Sequence, residues 1–384
     1  MRLTPLRPTA IAAALIAATV LTGCASWFEG SSANPPTPLA KLEAGQKVSI
    51  AWSEKAGDVE GGGFMPYYQG GNVLAASQDG AFHEWEASSG QRVREWNVKR
   101  GFSGGLSANE DTVFVGSANG ELLALERASG KERWHAPLTS VAPEAPLVAG
   151  DVVIARTNDG RITGFDVKDG RQLWSSARTL PQLLLRNTGS MQLVGNEALL
   201  VGQAAGRVAV LRPATGDVLW ESALAAPRGA TEIERITDVV TRPVFDNGQV
   251  CAVAYQGRVG CLDARSGSLQ WARELSSTRG LTLDERNLYV TADDGSVQAY
   301  DRSTGRNLWL QTGLKYRDVS GPARLGRYIL VADGEGYLHL LSSDDGRLAG
   351  RIKGDFVSAV ELITLPDGVL LLSRNGRVAR ITLG

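Results

Sequence analysis

Cysteine, histidine and methionine are scarce in this chain, three of each among 384 residues. Three cysteines cannot staple a body of this length, so the fold must rest on a packed core and not on a disulfide framework. His83, His135 and His339 are far apart in sequence, and no Cys/His/Asp/Glu grouping has metal-ligand spacing, so no metal or other cofactor is expected. An excess of one charge is also missing. Lys plus Arg is 40 and Asp plus Glu is 41, which leaves no basic field for nucleic acid. No apolar run reaches the roughly 20 residues that a spanning helix requires. Helical periodicity is absent from the body. What is abundant is glycine, 45 residues against 15 prolines and without a triplet period, which excludes collagen and points to turns.

The longest apolar run, Ala10 to Leu21, is broken only by Thr19 and follows Arg2 and Arg7. Its length and its positive start are those of a signal peptide. Leu21-Thr22-Gly23-Cys24 comes next and resembles the lipobox of bacterial lipoproteins. The resemblance implies that residues 1–23 are removed and that Cys24 is acylated as the mature N-terminus. Loss of the two arginines takes the formal charge from −1 to −3. Ala25 follows the cysteine, which by resemblance to Gram-negative sorting rules implies the periplasmic face of the outer membrane. Residues 24–44, with Ser31, Ser32, Pro35, Pro36 and Pro38, read as a flexible, lipid-anchored tether reaching at most about 65–70 Å.

The body, 45–384, repeats. Pairs of glycines ten residues apart recur seven times: Gly80/Gly90, Gly120/Gly130, Gly160/Gly170, Gly206/Gly216, Gly257/Gly267, Gly295/Gly305 and Gly336/Gly346. Tryptophan stands four residues after the second glycine in five units, as Trp134, Trp174, Trp220, Trp271 and Trp309. In the first unit Arg94 holds that place and Trp96 follows; in the seventh it is Gly350. The first glycines, with Gly376 opening an eighth unit, are spaced by 40, 40, 46, 51, 38, 41 and 40 residues. A period near 40 with β-runs either side of Asp-Gly or Asn-Gly turns predicts four antiparallel strands per unit. The fold class is therefore all-β, an eight-bladed β-propeller. An eighth unit, near 356–383, lacks its outer strand. Lys47–Trp52 supplies it, so that the N-terminal strand closes the ring. The recurring tryptophan is expected to pack between blades.

The units resemble the PQQ-type propeller repeat. Quinoprotein dehydrogenases share it, but their adjacent Cys-Cys pair is absent here, so no enzyme activity is expected. The stretches Leu183–Arg186, Ala230–Val240 and Asp333–His339, with the lipobox and eight units, are similar to the BamB family of the outer-membrane β-barrel assembly (BAM) machinery. That resemblance implies a non-catalytic scaffold. It would bind the periplasmic POTRA domains of the barrel subunit BamA and aid the folding of nascent outer-membrane proteins. The same propeller could equally scaffold another cell-envelope complex or, less in keeping with the sequence, be a PQQ-dependent dehydrogenase-like protein.

Spacing locates a binding face independently. From Trp to the next first glycine the units run 26, 24 and 27 residues, but 32 after Trp174 and 37 after Trp220. Two consecutive insertions at equivalent places should lie side by side at one end of the ring, where repeat arrays place binding surfaces. The first holds Leu180-Pro-Gln-Leu-Leu-Leu-Arg186, which reads either as an exposed loop or as a strand buried in the next blade. The second holds Glu232, Glu234, Arg235 and Asp238. By resemblance Leu183, Leu185, Arg186 and Asp238 fall on BamA-contacting positions, and Val240 stands where that pattern has a second acid. Asp238 is expected to act as a rim charge of small effect. Cys251 and Cys261 flank one turn. A three-residue loop would set them opposite each other, and a two-residue turn would put them on opposite faces. Free buried thiols are the preferred expectation.

Overall fold

In a computed structural model of the chain, the described residues are 34–42, 45–59, 63–185 and 190–384. The signal segment 1–23 and Cys24 lie outside them. The described residues form eight four-stranded antiparallel sheets arranged as the blades of one propeller. Blades one to seven span 67–97, 102–137, 147–176, 191–223, 244–274, 281–311 and 323–353. The eighth combines Ala359–Leu365, Gly368–Ser373 and Arg377–Leu383 with Val48–Lys55 from the other end of the chain. Val48 pairs with Leu383 and Lys55 with Arg377, with one bulge between Ile50 and Trp52. The ring closes as the sequence predicts.

Within a blade the second and third strands carry the core. Tyr328–Ala332 is buried at every position, which is why such strands read as continuous apolar runs and not as alternating ones. The two strands are joined by three-residue loops whose last residue is usually a glycine with positive φ, such as Gly295 at 83°. A side chain there would be strained. Outer strands alternate, with Leu269–Glu274 showing solvent contact on either side of buried Trp271.

The repeated tryptophan locks adjacent blades. Each lies across the second glycine of the next unit and donates its indole N–H to a carbonyl three residues before that glycine. Trp134 covers Gly170 and bonds Val167 O at 2.9 Å, Trp174 covers Gly216 and bonds Pro213 O at 3.0 Å, and Trp309 covers Gly346 and bonds Ser343 O at 2.9 Å. In blade one Trp96, two residues late, performs the same docking on Gly130 and Arg127 O. This frees Arg94 to pair with buried Glu84. Trp52, on the N-terminal strand, docks on Gly90, where a Cβ would stand 2.6 Å from its ring. The seam between blades seven and eight has no such tryptophan. There the chain entering the first strand crosses bare Gly350, and the Gln46 amide donates to Ala349 O at 2.7 Å.

Alternation of strand direction puts the second-to-third turns and the blade-to-blade connections at one end of the ring, called here the connection face. The inner strands line an axial channel. Arg242, just before the inner strand of blade five, and Glu361 of blade eight span it with a 2.7 Å ion pair. Residues 37–42, assigned by composition to the tether, lie along blade seven. The Thr37 amide donates to Lys315 O at 3.0 Å, Arg317 donates to Thr37 O at 3.1 Å, and Arg351 donates to Ala40 O at 3.0 Å. Leu39 packs against the core between blades six and seven.

Candidate functional site: the connection face over blades three to five

Both insertions emerge on the connection face. The first lies between Ser176 and Met191, and its described residues, 177–185 and Ser190, contain no strand; the next blade begins its inner strand at Met191–Val194. The alternative of a buried strand therefore does not hold. Leu180 folds back over Gly160 of the blade-three turn, and Leu183, 45% exposed, and Leu184 project outward. Leu185 is half-buried and turns inward, toward the mouth of the axial channel. Arg186 lies outside the described residues.

The second insertion exposes residues 226–235. A tight turn organises its tip. Glu234 Oε2 accepts the Ala230 amide at 2.8 Å and the Thr231 amide at 3.1 Å, while Thr231 Oγ1 accepts the Glu234 amide at 3.2 Å. These reciprocal bonds are those of a capping box built on a single turn. They hold Ile233 outward at 67% exposure.

The two insertions meet, as their spacing predicts, but Asp238 is not a rim charge. It is 4% exposed. Its Oδ2 accepts the Leu185 amide at 2.7 Å, and its Oδ1 accepts the Ala205 amide, from the blade-four turn, at 3.1 Å. The Val239 amide donates to Gln203 O at 3.0 Å. The carboxylate thus staples the second insertion to the first and to the turn between them. The expectation of an exposed charge failed because an acid in a long loop, 15 residues past the end of the preceding strand at Ala223, looks the same in sequence whether it points out or in.

Beneath the staple lie two charged residues that the sequence reading missed, Glu144 and Arg156, both buried. Glu144 Oε2 accepts the Ser190 amide at 2.9 Å and the Met191 amide at 3.2 Å, where the first insertion rejoins the propeller. Arg156 donates to Gly202 O at 2.8 Å and to Ser190 Oγ, and its charge faces both Glu144 and Asp238. Burial pushes the Glu144 and Asp238 carboxyls above the usual carboxylate range, against the pull of Arg156 and the amides. Burial likewise pulls the Arg156 guanidinium down. The signal for Glu144 was present: it is the one charge in Ala142-Pro-Glu-Ala-Pro-Leu147, a segment otherwise apolar.

The arrangement therefore presents Leu183, Leu184 and Ile233 on loops fixed from below by Glu144, Arg156 and Asp238. Val240, half-buried, brings no second acid. Apolar anchors on a fixed base suit a protein interface. Nothing in this cluster is arranged as a nucleophile with a base. Among the described residues no three His, Cys, Asp or Glu converge as metal ligands.

Elsewhere, Cys251 and Cys261 are joined by a disulfide. They pair directly across blade five because Tyr255-Gln256-Gly257 forms a three-residue loop. Of the two turn geometries this is the one that permits the bond, and the preference for free thiols is corrected.

Comparison with known proteins bears on the family and the fold. The family model described as outer membrane protein assembly factor BamB matches residues 90–311. The outer membrane protein assembly factor BamB of Bordetella pertussis is 35% identical over 366 residues, 94% of each chain. The crystal structure of BamB from Moraxella catarrhalis superposes with a TM-score of 0.80 at 26% identity, covering 88% of this chain and all of that one. A quinohemoprotein alcohol dehydrogenase from Comamonas testosteroni gives a TM-score of 0.66 at 13% identity, covering 96% of this chain and 84% of that one. This last likeness shows the propeller alone.

Proposed function

This chain belongs to the BamB family of outer-membrane protein assembly factors, and from that premise we propose that its connection face over blades three to five binds the periplasmic POTRA domains of BamA. The family is one of assembly factors and not of enzymes, and membership of the BAM complex and association with the outer membrane follow from it. The finer reading is that Cys24 carries the lipid anchor on the periplasmic face, and that bound BamA is held while nascent β-barrel proteins fold and insert. The observation that carries the binding face is the staple of Asp238 to Leu185, which unites two insertions the repeat does not need and leaves Leu183 and Ile233 in water. Exposed apolar side chains on a fixed base are costly unless a partner covers them.

The test is BamA-fragment affinity and melting temperature measured on the same purified variants. Leu183→Ala and Arg186→Ala should each weaken binding by about 1–3 kcal/mol as interface anchors, with melting unchanged. Undiminished affinity in a stably folded Leu183/Arg186 double variant would remove this loop from the interface.

A further inference from the structure

The connection face has a second apolar exposure, distant in sequence from the insertions. Tyr316 is 42% exposed and Val357 is 54% exposed. They sit on the consecutive connections that lead into blades seven and eight. Asp318 joins these connections, its carboxylate accepting Ser358 Oγ at 3.0 Å and pairing with Arg279 at 2.7 Å. Tyr316, Asp318 and Ser358 all have positive φ, at 59°, 53° and 41°. Non-glycine residues rarely hold this conformation, and they keep it only where surrounding bonds impose it. The backbone is thus held in a shape that turns Tyr316 outward.

The same backbone holds the start of the tether. Thr37 is bonded on one side of Tyr316 by Lys315 O and on the other by the Arg317 side chain. Leu39 and Ala40 continue the docking along blade seven. Only twelve residues separate Thr37 from Cys24. Their full extension spans at most about 45 Å, well short of the reach of a tether free to residue 44. A lipid anchor at Cys24 would therefore join the propeller at Thr37, beside Tyr316.

We propose that the connection face around Tyr316 and Val357 rests on the phospholipid surface, with the clamped segment 37–42 fixing that edge as the one nearest the membrane. The occupant is a lipid headgroup layer. Tyrosine suits it because its ring is apolar and its hydroxyl wet. Arg374, whose amide bonds Val357 O and whose largely solvent-exposed side chain lies 4.0 Å from the Asp318 carboxylate, can turn to headgroup phosphates while its stem covers apolar surface. Blades three to five remain free for a protein partner on the same face. The proposal rests on the reading that Cys24 is acylated.

The test uses the full-length lipoprotein in phosphatidylethanolamine/phosphatidylglycerol vesicles carrying a bilayer quencher. An environment-sensitive fluorophore is attached at Tyr316→Cys, Val357→Cys or, as control, Val93→Cys on the outer strand of blade one. Labels at 316 and 357 should shift to shorter wavelength and lose at least half their emission to the quencher, while the label at 93 stays as in buffer. Labels at 316 and 357 that behave like the one at 93, in protein that floats with the vesicles, overturn the membrane-facing edge. Protein that does not float overturns the acylation premise, and the proposal falls with it. Leu39→Asp should release the clamp and abolish quenching at 357 while flotation persists. Quenching retained in that variant, with residues 37–42 newly open to protease, would show that the clamp does not set the orientation.

Discussion

Asp238 spends its two oxygens on backbone amides of other loops, so its removal reaches further than the loss of one charge. Asp238→Ala should strip partners from the Leu185 and Ala205 amides and leave Arg156 with one counter-charge fewer. A buried unsatisfied group costs about 1–3 kcal/mol, and faster amide exchange at Leu185 together with a lowered melting temperature would report it. Asp238→Asn keeps an acceptor and should recover part of the loss. Glu144 gives a pH signature. Its carboxyl is raised by burial, so its stabilising contribution is present below its unfolded value of about 4.3. That contribution is lost as pH rises through the folded value. Glu144→Gln cannot ionise and should gain on the parent as pH rises above that unfolded value. Parallel melting curves for the two proteins across that range would contradict it.

At the scale of the blade, the tryptophan and the glycine it covers form one device. Trp174 is half-exposed, so Trp174→Ala should cost about 3 kcal/mol, the low end for a buried aromatic. Gly216→Ala adds a Cβ that collides with the Trp174 ring at a φ of 74°. Because the collision vanishes when the ring is gone, the double variant should cost less than the two single variants together, by about 1 kcal/mol or more. Strictly additive denaturation energies would separate the two residues. Blade five has its own constraint, and replacing Cys251 and Cys261 by Ser should cost about 2–3 kcal/mol for so short a closed loop. These elements were largely legible. The ten-residue glycine spacing gives the turns, and the fixed offset to tryptophan gives the seam, because both depend on local geometry repeated many times. The site was legible only in outline. Excess loop length shows where insertions lie, but no periodicity governs which loop side chain turns inward, so the burial of Asp238 and the partnership of Glu144 with Arg156 could not be read. The disulfide depended on a single residue of turn length.

For the whole molecule, stability is shared around a ring whose seams are alike except one. Between blades seven and eight, backbone crosses glycine where tryptophan stands elsewhere, and a Cβ on Gly350 would run into Gln46 O. Gly350→Ala should therefore lower the melting temperature while leaving the loops of blades three to five in place, and undisturbed melting would show that the seam can open to admit a methyl group. The closing strand has a further consequence, in time. Val48–Lys55 is made more than 300 residues before Arg377–Leu383, yet they are partners. A chain emerging from a ribosome or a translocation channel must carry its first strand unpaired until its last residues are free. Bringing together ends more than 300 residues apart costs about 5 kcal/mol in chain entropy, and blades one to seven offset much of that by folding first and delivering the two ends to one gap. The protein is thus completed in an order opposite to its reading. Until Arg377–Leu383 arrives, the strand Val48–Lys55 waits with open edges.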